Sequence, residues 1–522
     1  MDTLPQELID KISSLLSRKD LKATLVLSRK LQYGAERHSG VFSHAKLKPD
    51  VATTRKFLST YNSHRLLYLR GISFETSIPW IESEYDSNGI PERFCRETED
   101  ELQIINEEFT KQIGILFRTL STLESQAGAQ YRPGKIHLTI YTTERRLWQG
   151  ECYHRKSMSW RVRLLSPSEL PKLSSIRTLT LEVPCDDMRC HEIGEVFSCH
   201  IEYKVLLDIA RRCPNLDTLE CRLSGREWLG SFTSQAMNQS CQDWAGPRRD
   251  SRHSLEKAMQ GIKKSLPYLR HVRLDFLYPL CWAEDFNQCF PLPDLIKPAL
   301  SDPFSSSLRV LSHQLRTMDL RVVADETLFW PTESSRDVWP NMESIHIMFN
   351  NSHPSGSWYF SGQPSIGTGY VITPEHYPPL EETDRDFEND LDDATVYMNW
   401  LTNDAFSTSH TRVFPQETRL ARFLEAFARA AAHMPVLKEF VLWTPIKLDV
   451  SDFEDEFPNL DPKTISKNAM EDAELHKLFQ EIGQKEHGEE VREHWNDVEN
   501  QDDGLDYRDW FEDWFGDWAY EA

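Results

Sequence analysis

The chain has 522 residues, with 59 basic and 82 acidic side chains and a formal net charge of −23. Hydrophobic residues make up 39% of it and it holds 15 Trp, enough apolar material for a large core, which excludes wholesale disorder. The acidity argues against a general nucleic-acid binder, because neutralising phosphates takes a basic surface. At about 150 residues per domain the length suggests roughly three domains. The charge is uneven: residues 446–522 carry 24 acids and 7 bases, so the first 445 residues hold only −6. No run of about 18 apolar residues occurs, so no membrane-spanning helix is expected. Asp2, Glu7 and Asp10 at the start argue against a secretory signal. The 10 Cys are scattered and read as reduced thiols, with cytoplasm or nucleus as the expected compartment.

Thr3-Leu4-Pro5-Gln6 reads as a helix start, with capping-box spacing from Thr3 to Gln6 and a Pro in the first turn. Leu8, Ile12, Leu15 and Leu16 follow on one helical face. A polar break at Ser17 to Asp20 precedes a second helix with Leu21, Leu25 and Leu27, which Asp20 could cap. A third helix is expected from Ser28 through Leu31, Tyr33 and Ala35 toward His38. Three helices this short bury little alone, so their apolar faces need the rest of the chain or another protein. Residues 1–60 hold 11 bases and 6 acids, a local +5 that favours an acidic partner.

The residues Leu4-Pro5-x-Glu7-Leu8-Ile9, Ile12, Leu15-Leu16, Asp20-Leu21 and Leu27-Ser28-Arg29 together resemble an F-box. Ser17 stands where that motif often has Pro, and Leu31 near where it often has an aromatic. Neither adds charge to the apolar face. The resemblance implies a three-helix unit over residues 1–48 that binds a Skp-type adaptor through Leu4, Pro5, Leu8, Ile12, Leu15, Leu16 and Leu21, and through it a cullin scaffold. The alternative is an amphipathic helical cap on the domain behind it.

From residue 60 onward one pattern recurs: Pro, any residue, apolar, two residues, apolar, one residue, apolar. It occurs at Pro214-Asn215-Leu216 with Leu219 and Cys221, and at Pro267-Tyr268-Leu269 with Val272 and Leu274. It returns at Pro340-Asn341-Met342 with Ile345 and Ile347, and at Pro435-Val436-Leu437 with Phe440 and Leu442. Ile176, Leu179, Leu181 and Leu315, Met318, Leu320 match without the Pro, and the segments around Leu66 to Ile72 and Ile136 to Ile140 match loosely. The last two apolar positions alternate as in a strand. Helical spacing often precedes the Pro, as in Val205, Leu206, Ile209, Ala210 and in Phe423, Leu424, Phe427, Ala431. Helix, Pro turn and short strand form a unit that needs neighbours to bury both faces.

These units resemble a degenerate leucine-rich repeat array. Their spacings run 40, 53, 46, 27 and 95 residues from Ile176. Only one lies in the regular range of about 20–29 residues, so long insertions are expected. The expected fold class is α/β: an F-box, then an irregular leucine-rich-repeat-like solenoid over residues 60–445 with an insertion at about 350–415. An unrelated α/β domain with a parallel sheet is the alternative. Within the insertion, residues 381–393 hold eight acids and one Arg and are expected to be exposed. The Gly356-Ser357-Trp358-Tyr359-Phe360 segment and the Phe427-Ala428-x-Ala430-Ala431-Ala432 helix, together with the F-box, resemble fungal F-box proteins.

Chemistry-bearing constellations are sparse. Cys185, Cys190, His191, Cys199 and His200 cluster without the close Cys pairs of a finger or ribbon. His191-Glu192 and His494 do not make a zinc-protease motif, Ser365 with Gly367 is no nucleophile elbow, and Gly367-Thr368-Gly369 is no phosphate loop. His137 and His271 sit beside expected strands and read as structural. Residues 446–522 form an acidic extension with Trp510, Trp514 and Trp518 at helical spacing beside Phe511 and Phe515. That stripe either docks on its own domain or engages a partner groove.

The resemblance therefore implies a non-catalytic substrate receptor of a Skp–cullin–F-box ubiquitin ligase, with an unknown protein target and no cofactor, nucleic-acid or membrane partner. An interaction scaffold without a ligase link and a zinc-dependent enzyme are the other readings.

Overall fold

The computed structural model describes residues 4–78, 97–128, 135–146, 160–182, 196–198, 200–223, 244–277, 288, 291–331, 338–361, 369–380, 412 and 414–445. All belong to the unit Met1–Glu471. Among the described residues no helix is long and apolar enough to cross a membrane. They form a mixed α/β fold with ten α-helices and twelve strands.

The chain begins with helices α1 (Gln6–Ser14), α2 (Arg18–Thr24) and α3 (Arg29–His38). Thr3 lies outside the described residues, so its capping box is not seen. Pro5 is the N-cap of α1 and makes no side-chain cap bond. Asp20 does not cap α2. Ser17 does, its Oγ accepting from the Asp20 amide at 3.3 Å and donating to Asp20 Oδ2 at 2.7 Å. A hydroxyl at the cap and an acid three residues on suit the positive end of a helix. Ser28 caps α3, its Oγ accepting from the Leu31 amide at 3.3 Å.

Strand β1 (His44–Leu47) follows directly, then α4 (Val51–Thr60), β2 (Gly71–Ser77), the 29-residue α5 (Glu99–Ala127) and β3 (Ile136–Arg146). Thr98 and Glu101 close a capping box at the start of α5. The chain continues with β4 (Ile176–Glu182), β5 (Val196–Ser198), α6 (Lys204–Ala210) and β6 (Thr218–Arg222). Next come α7 (Ala245–Met259), α8 (Ile262–Ser265), β7 (His271–Asp275), α9 (Pro303–Ser312), β8 (Thr317–Val322) and β9 (Ser344–Phe349). The last elements are β10 (Phe360–Ser361), β11 (Phe414–Pro415), α10 (Glu417–Ala431) and β12 (Glu439–Trp443).

Nine of these strands make one parallel sheet in the order β1-β2-β3-β4-β6-β7-β8-β9-β12, with β5 antiparallel on β3. Strands β10 and β11 pair separately. The pattern read from the sequence lines up across the sheet. One row runs Ala45, Ile72, Leu138, Leu179, Leu219, Val272, Met318, Ile345, Phe440, and a second runs Leu47, Phe74, Ile140, Leu181, Cys221, Leu274, Leu320, Ile347, Leu442. The seven inner strands bury both positions. β1 therefore belongs to this sheet, although it falls inside the 1–48 segment assigned to the N-terminal unit.

The role of the Pro is visible in the backbone. Leu216, Leu269, Met342 and Leu437 each donate to the carbonyl three residues back, from Cys213, Leu266, Trp339 and Met434. Each Pro thus occupies the second position of a tight turn, where its fixed φ is already correct. Leu315 makes the same bond to Ser312 without a Pro. After the turn one carbonyl takes two amides of the next unit: Asp217 accepts from Arg270 and His271, Arg270 from Arg316 and Thr317, and Arg316 from Glu343 and Ser344. This repeated fork sets the register.

The insertion is not only a surface loop. Trp358, Tyr359 and Phe360 are buried, and the Tyr359 hydroxyl donates to Ala324 O at 2.8 Å. Tyr359 and Phe349 pack against Phe423 of α10. Gly356, at φ 77°, lies so close to Leu292 O that a Cβ would stand 2.5 Å from it, so only glycine fits there. Residues 381–393 lie outside the described residues.

Candidate interaction surfaces

Helix α1 packs on α3 through a stripe the sequence pattern did not single out. Ile9 is 1% exposed and Ser13 is fully buried. Opposite them sits Gly34, where an added Cβ would meet Ser13 Oγ at 2.5 Å. At about 100° per residue, Leu8, Ile12 and Leu15 fall on a different stripe, roughly a third of a turn away. They are 49%, 45% and 80% exposed. Val26 and Leu27, just after α2, are exposed as well. Leu4 and Leu16 are half-buried and Pro5 is exposed. Leu21 is buried at 3% and faces inward, so of the residues expected to touch an adaptor it supplies core and not surface. Lys30 Nζ donates to Leu4 O at 2.9 Å, which fixes the entry into α1.

These helices are joined to the sheet by a polar node. Glu36 of α3 is 4% exposed and accepts from Gln32, His64 and both Nε and Nη2 of Arg65. Those partners hold its carboxyl down at about 2 against the cost of burial. Arg65 also lies over the Phe42 ring at 4.4 Å, and Tyr33 packs on His64 with centroids 4.1 Å apart. Thus α3, the segment before β1 and the 3-10 turn His64–Leu67 interlock.

The second surface is the polar face of the sheet, formed by the residues that alternate with the apolar rows. One row there runs Glu182, Arg222, Asp275, Arg321, and another Glu220, Arg273, Asp319, His346. Signs alternate from strand to strand. Arg222 pairs with Glu182 at 3.0 Å, Arg321 with Asp275 at 3.2 Å and Arg273 with Asp319 at 3.4 Å. His346 Nδ1 reaches Asp319 at 3.0 Å and its Nε2 lies 3.7 Å from Glu439 of β12, and the hydrogen bond to Asp319 raises the imidazole pKa. Burial raises Glu182 and Glu220 and lowers Arg273. His137 bonds Thr180 at 2.8 Å and His271 bonds Thr317 at 2.9 Å, so both tie neighbouring strands. A like charge in any rung would repel its neighbour, so the rows reinforce the register.

A third cluster unites Asp325, Glu326 and His353, whose donor atoms lie within 4.8 Å of one another. Their lone pairs are largely committed. Asp325 Oδ1 accepts from Thr327 N and Oγ1, and its Oδ2 accepts from Asp302 N. His353 Nδ1 accepts from the Ser355 amide at 3.1 Å, leaving Nε2 facing Glu326 at 3.8 Å. The set is a cap and an ion pair more than an open coordination sphere. Beside it Asp302, fully buried, accepts from Arg252 at 2.5 Å, and burial, helped by the Asp302 charge, pushes Asp325 up to about 6. Sequence reading missed this cluster because its members come from separate loops.

Cys185, Cys190, His191 and Cys199 of the sequence-read cluster lie outside the described residues. His200 is buried, and its carbonyl accepts from Val162 N. Ser365 and the acidic aromatic extension also lie outside. Cys213 and Cys221 are buried free thiols. No family model and no curated relative matches the chain.

Proposed function

We propose that this chain is the target-binding subunit of a Skp–cullin–F-box ubiquitin ligase. In this reading α1 to α3 are the F-box, and the nine-stranded sheet with its helices is an irregular leucine-rich-repeat-like solenoid that carries the target. The chain supplies no catalytic group. It holds a target near a ubiquitin carrier, raising the effective concentration of target lysines. It acts in the cytoplasm or nucleus, where that machinery works. The observation that supports the reading best is the outward stripe Leu8, Ile12, Leu15 on a helix already packed through Ile9 and Ser13. Apolar side chains left over after a helix has found its own core are suited to a second protein.

The test is affinity purification of the full chain and of a Leu8→Glu, Ile12→Glu double variant. The intact chain should recover a Skp-type adaptor and a cullin, and the folded variant should recover neither. Equal adaptor recovery by the folded variant overturns the F-box reading. The Glu36 node favours a second reading, an interaction scaffold in which α1 to α3 cap the sheet. That reading predicts no adaptor with either protein and unfolding on deletion of residues 1–48.

A further inference from the structure

On the polar face of the sheet charge cancels from strand to strand, but the edge where the strands begin is different. Because β2 to β12 run parallel, the segments that lead into them lie side by side along that edge: residues 64–70, 135, 170–177, 211–217, 260–270, 313–316, 338–343 and 432–438. They hold 12 Lys and Arg against two acids, Asp217 and Glu343, in a chain whose net charge is −23. Two more acids reach the edge from neighbouring helices, Glu36 on Arg65 and Glu124 on the Ser174 and Ser175 amides. Twelve bases against four acids leave eight in excess. Arg177 pairs with Asp217 at 3.4 Å, and Arg316 and Lys438 share Glu343. Arg70, Arg211 and Arg212 donate to the carbonyls of Leu67, Ala258 and Leu170, which satisfies orphan acceptors but leaves the positive charge in place. Lys172, Lys263 and Lys264 are exposed, and among the described residues no acid pairs with them. Helices α6, α8, α9 and α10 end at or within these segments. At about half a negative charge per helix end, they offset at most about two of the eight.

We propose that this basic edge docks an extended acidic segment of the target protein. The proposal rests on the target-binding reading and adds where the target sits and what its bound segment is made of. Eight strands at about 4.8 Å spacing make a strip roughly 34 Å long, which an extended segment of about ten residues would cross. Between the bases the turn tips expose apolar points, Tyr268 at 58% and Val436 at 42%. Pro267, Pro340 and Pro435 are exposed beside them. Acids interspersed with apolar side chains match both parts of the strip. Single-stranded nucleic acid is held on a series of aromatic rings. Among the described residues of this edge Tyr268 is the one exposed Phe, Tyr or Trp, so the series is missing. The paired charges of the sheet face exert little field at a distance, whereas a strip of one sign steers an acidic partner to the edge.

The experiment measures, by fluorescence anisotropy, binding of the full chain without adaptor to a peptide of about 12 residues, Glu with Leu at every fourth position. The same peptide with Gln for Glu is the neutral control. Affinity for the Glu peptide should fall about tenfold as salt rises from about 50 to about 300 mM, where screening shortens from beyond about 10 Å to well below it. The Gln peptide should bind at least about tenfold more weakly at the lower salt. Lys263→Glu with Lys264→Glu, both at exposed positions, should weaken the Glu peptide about tenfold, and Lys111→Glu on α5 should not. No binding of the Glu peptide at about 50 mM salt, or equal binding of the Gln peptide, overturns the proposal. Unchanged affinity in the folded Lys263, Lys264 variant overturns the location. Tighter binding of a DNA single strand or duplex of equal charge overturns the proposal in favour of nucleic acid. The comparison of the two peptides on the wild type needs no variant, so the outcome does not depend on the substitutions folding. The ligase reading fails separately: Glu peptide bound, with no adaptor recovered on purification, ends that reading and upholds the edge.

Discussion

Arg65 grips Glu36 with two parallel hydrogen bonds, Nε to Oε2 at 3.1 Å and Nη2 to Oε1 at 2.7 Å. The pair spans the boundary between the N-terminal helices and the sheet. Its consequence is a pH signature. The Glu36 carboxyl sits at about 2 when folded, against 4.5 ordinarily. Its contribution is complete above 4.5 and is lost as pH falls toward 2. Glu36→Gln should cost about 2 kcal/mol at neutral pH, the worth of charged hydrogen bonds. It should also remove that acid-limb loss, read as urea unfolding free energy against pH. Equal acid sensitivity in wild type and variant would contradict the assignment.

Leu8 and Leu21 should part company on substitution. Leu21→Ala opens a cavity behind α2 and should cost about 2–4 kcal/mol. Leu8→Ala removes an exposed side chain and should cost less than about 0.5 kcal/mol. Chemical denaturation of the two variants checks this, and a costly Leu8→Ala would mean the stripe is covered by this chain.

Asp325 acts in acid with the opposite sign to Glu36. Burial and the Asp302 charge push it up to about 6, above the ordinary 3.8. A carboxyl that holds its proton more tightly when folded adds stability as pH falls through about 6, and goes on adding until about 3.8. Relative to Asp325→Asn, the wild type should therefore gain stability between pH 6 and pH 4. Thermal unfolding of both proteins across that range is the measurement. A constant difference would show that this carboxyl does not titrate there.

His346 links β8, β9 and β12 through Asp319 and Glu439, and its pKa lies above the ordinary 6.5 when folded. The imidazolium's contribution is present in full below 6.5 and is lost as pH rises through the folded value. Amide hydrogen exchange in β12, corrected for intrinsic rates, should report weaker protection at pH 8.5 than at pH 6. His346→Gln should erase that difference. Protection in wild-type β12 that is independent of pH would remove His346 from this role.

Much of the sheet was legible in the chain's own letters. The three-apolar pattern marked β4, β6, β7, β8, β9 and β12, because a buried strand face must repeat every second residue, and before β6, β7, β9 and β12 a Pro turn sharpened the mark. Of the loose candidates, Ile136 to Ile140 proved to be the start of β3, while Leu66 to Ile72 runs from the 3-10 turn His64–Leu67 and reaches only the first two residues of β2. β1 escaped because Ala45 and Leu47 are only two apolar letters beside a helical segment. The long α5 was missed although Thr98 and Glu101 announce its start. The second stripe of α1 was harder to see. Leu8, Ile12 and Leu15 are the apolar face its letters show, while Ile9, Ser13 and the facing Gly34 let the helices approach closely on another. A glycine that accepts a neighbouring helix leaves no hydrophobic mark. The alternating charges were invisible for a similar reason: each lies between apolar positions, and its partner is 40 or more residues away in the chain.

The strand order also governs how this molecule would come apart under tension. Each parallel strand is bonded to the strands just before and just after it in that order, and none bridges distant parts of the sheet. A pull applied at the ends has no single clasp to break. It would peel one edge strand, then the next, giving a staircase of small yields. Mechanical resistance would then depend on the weakest rung and not on the number of rungs.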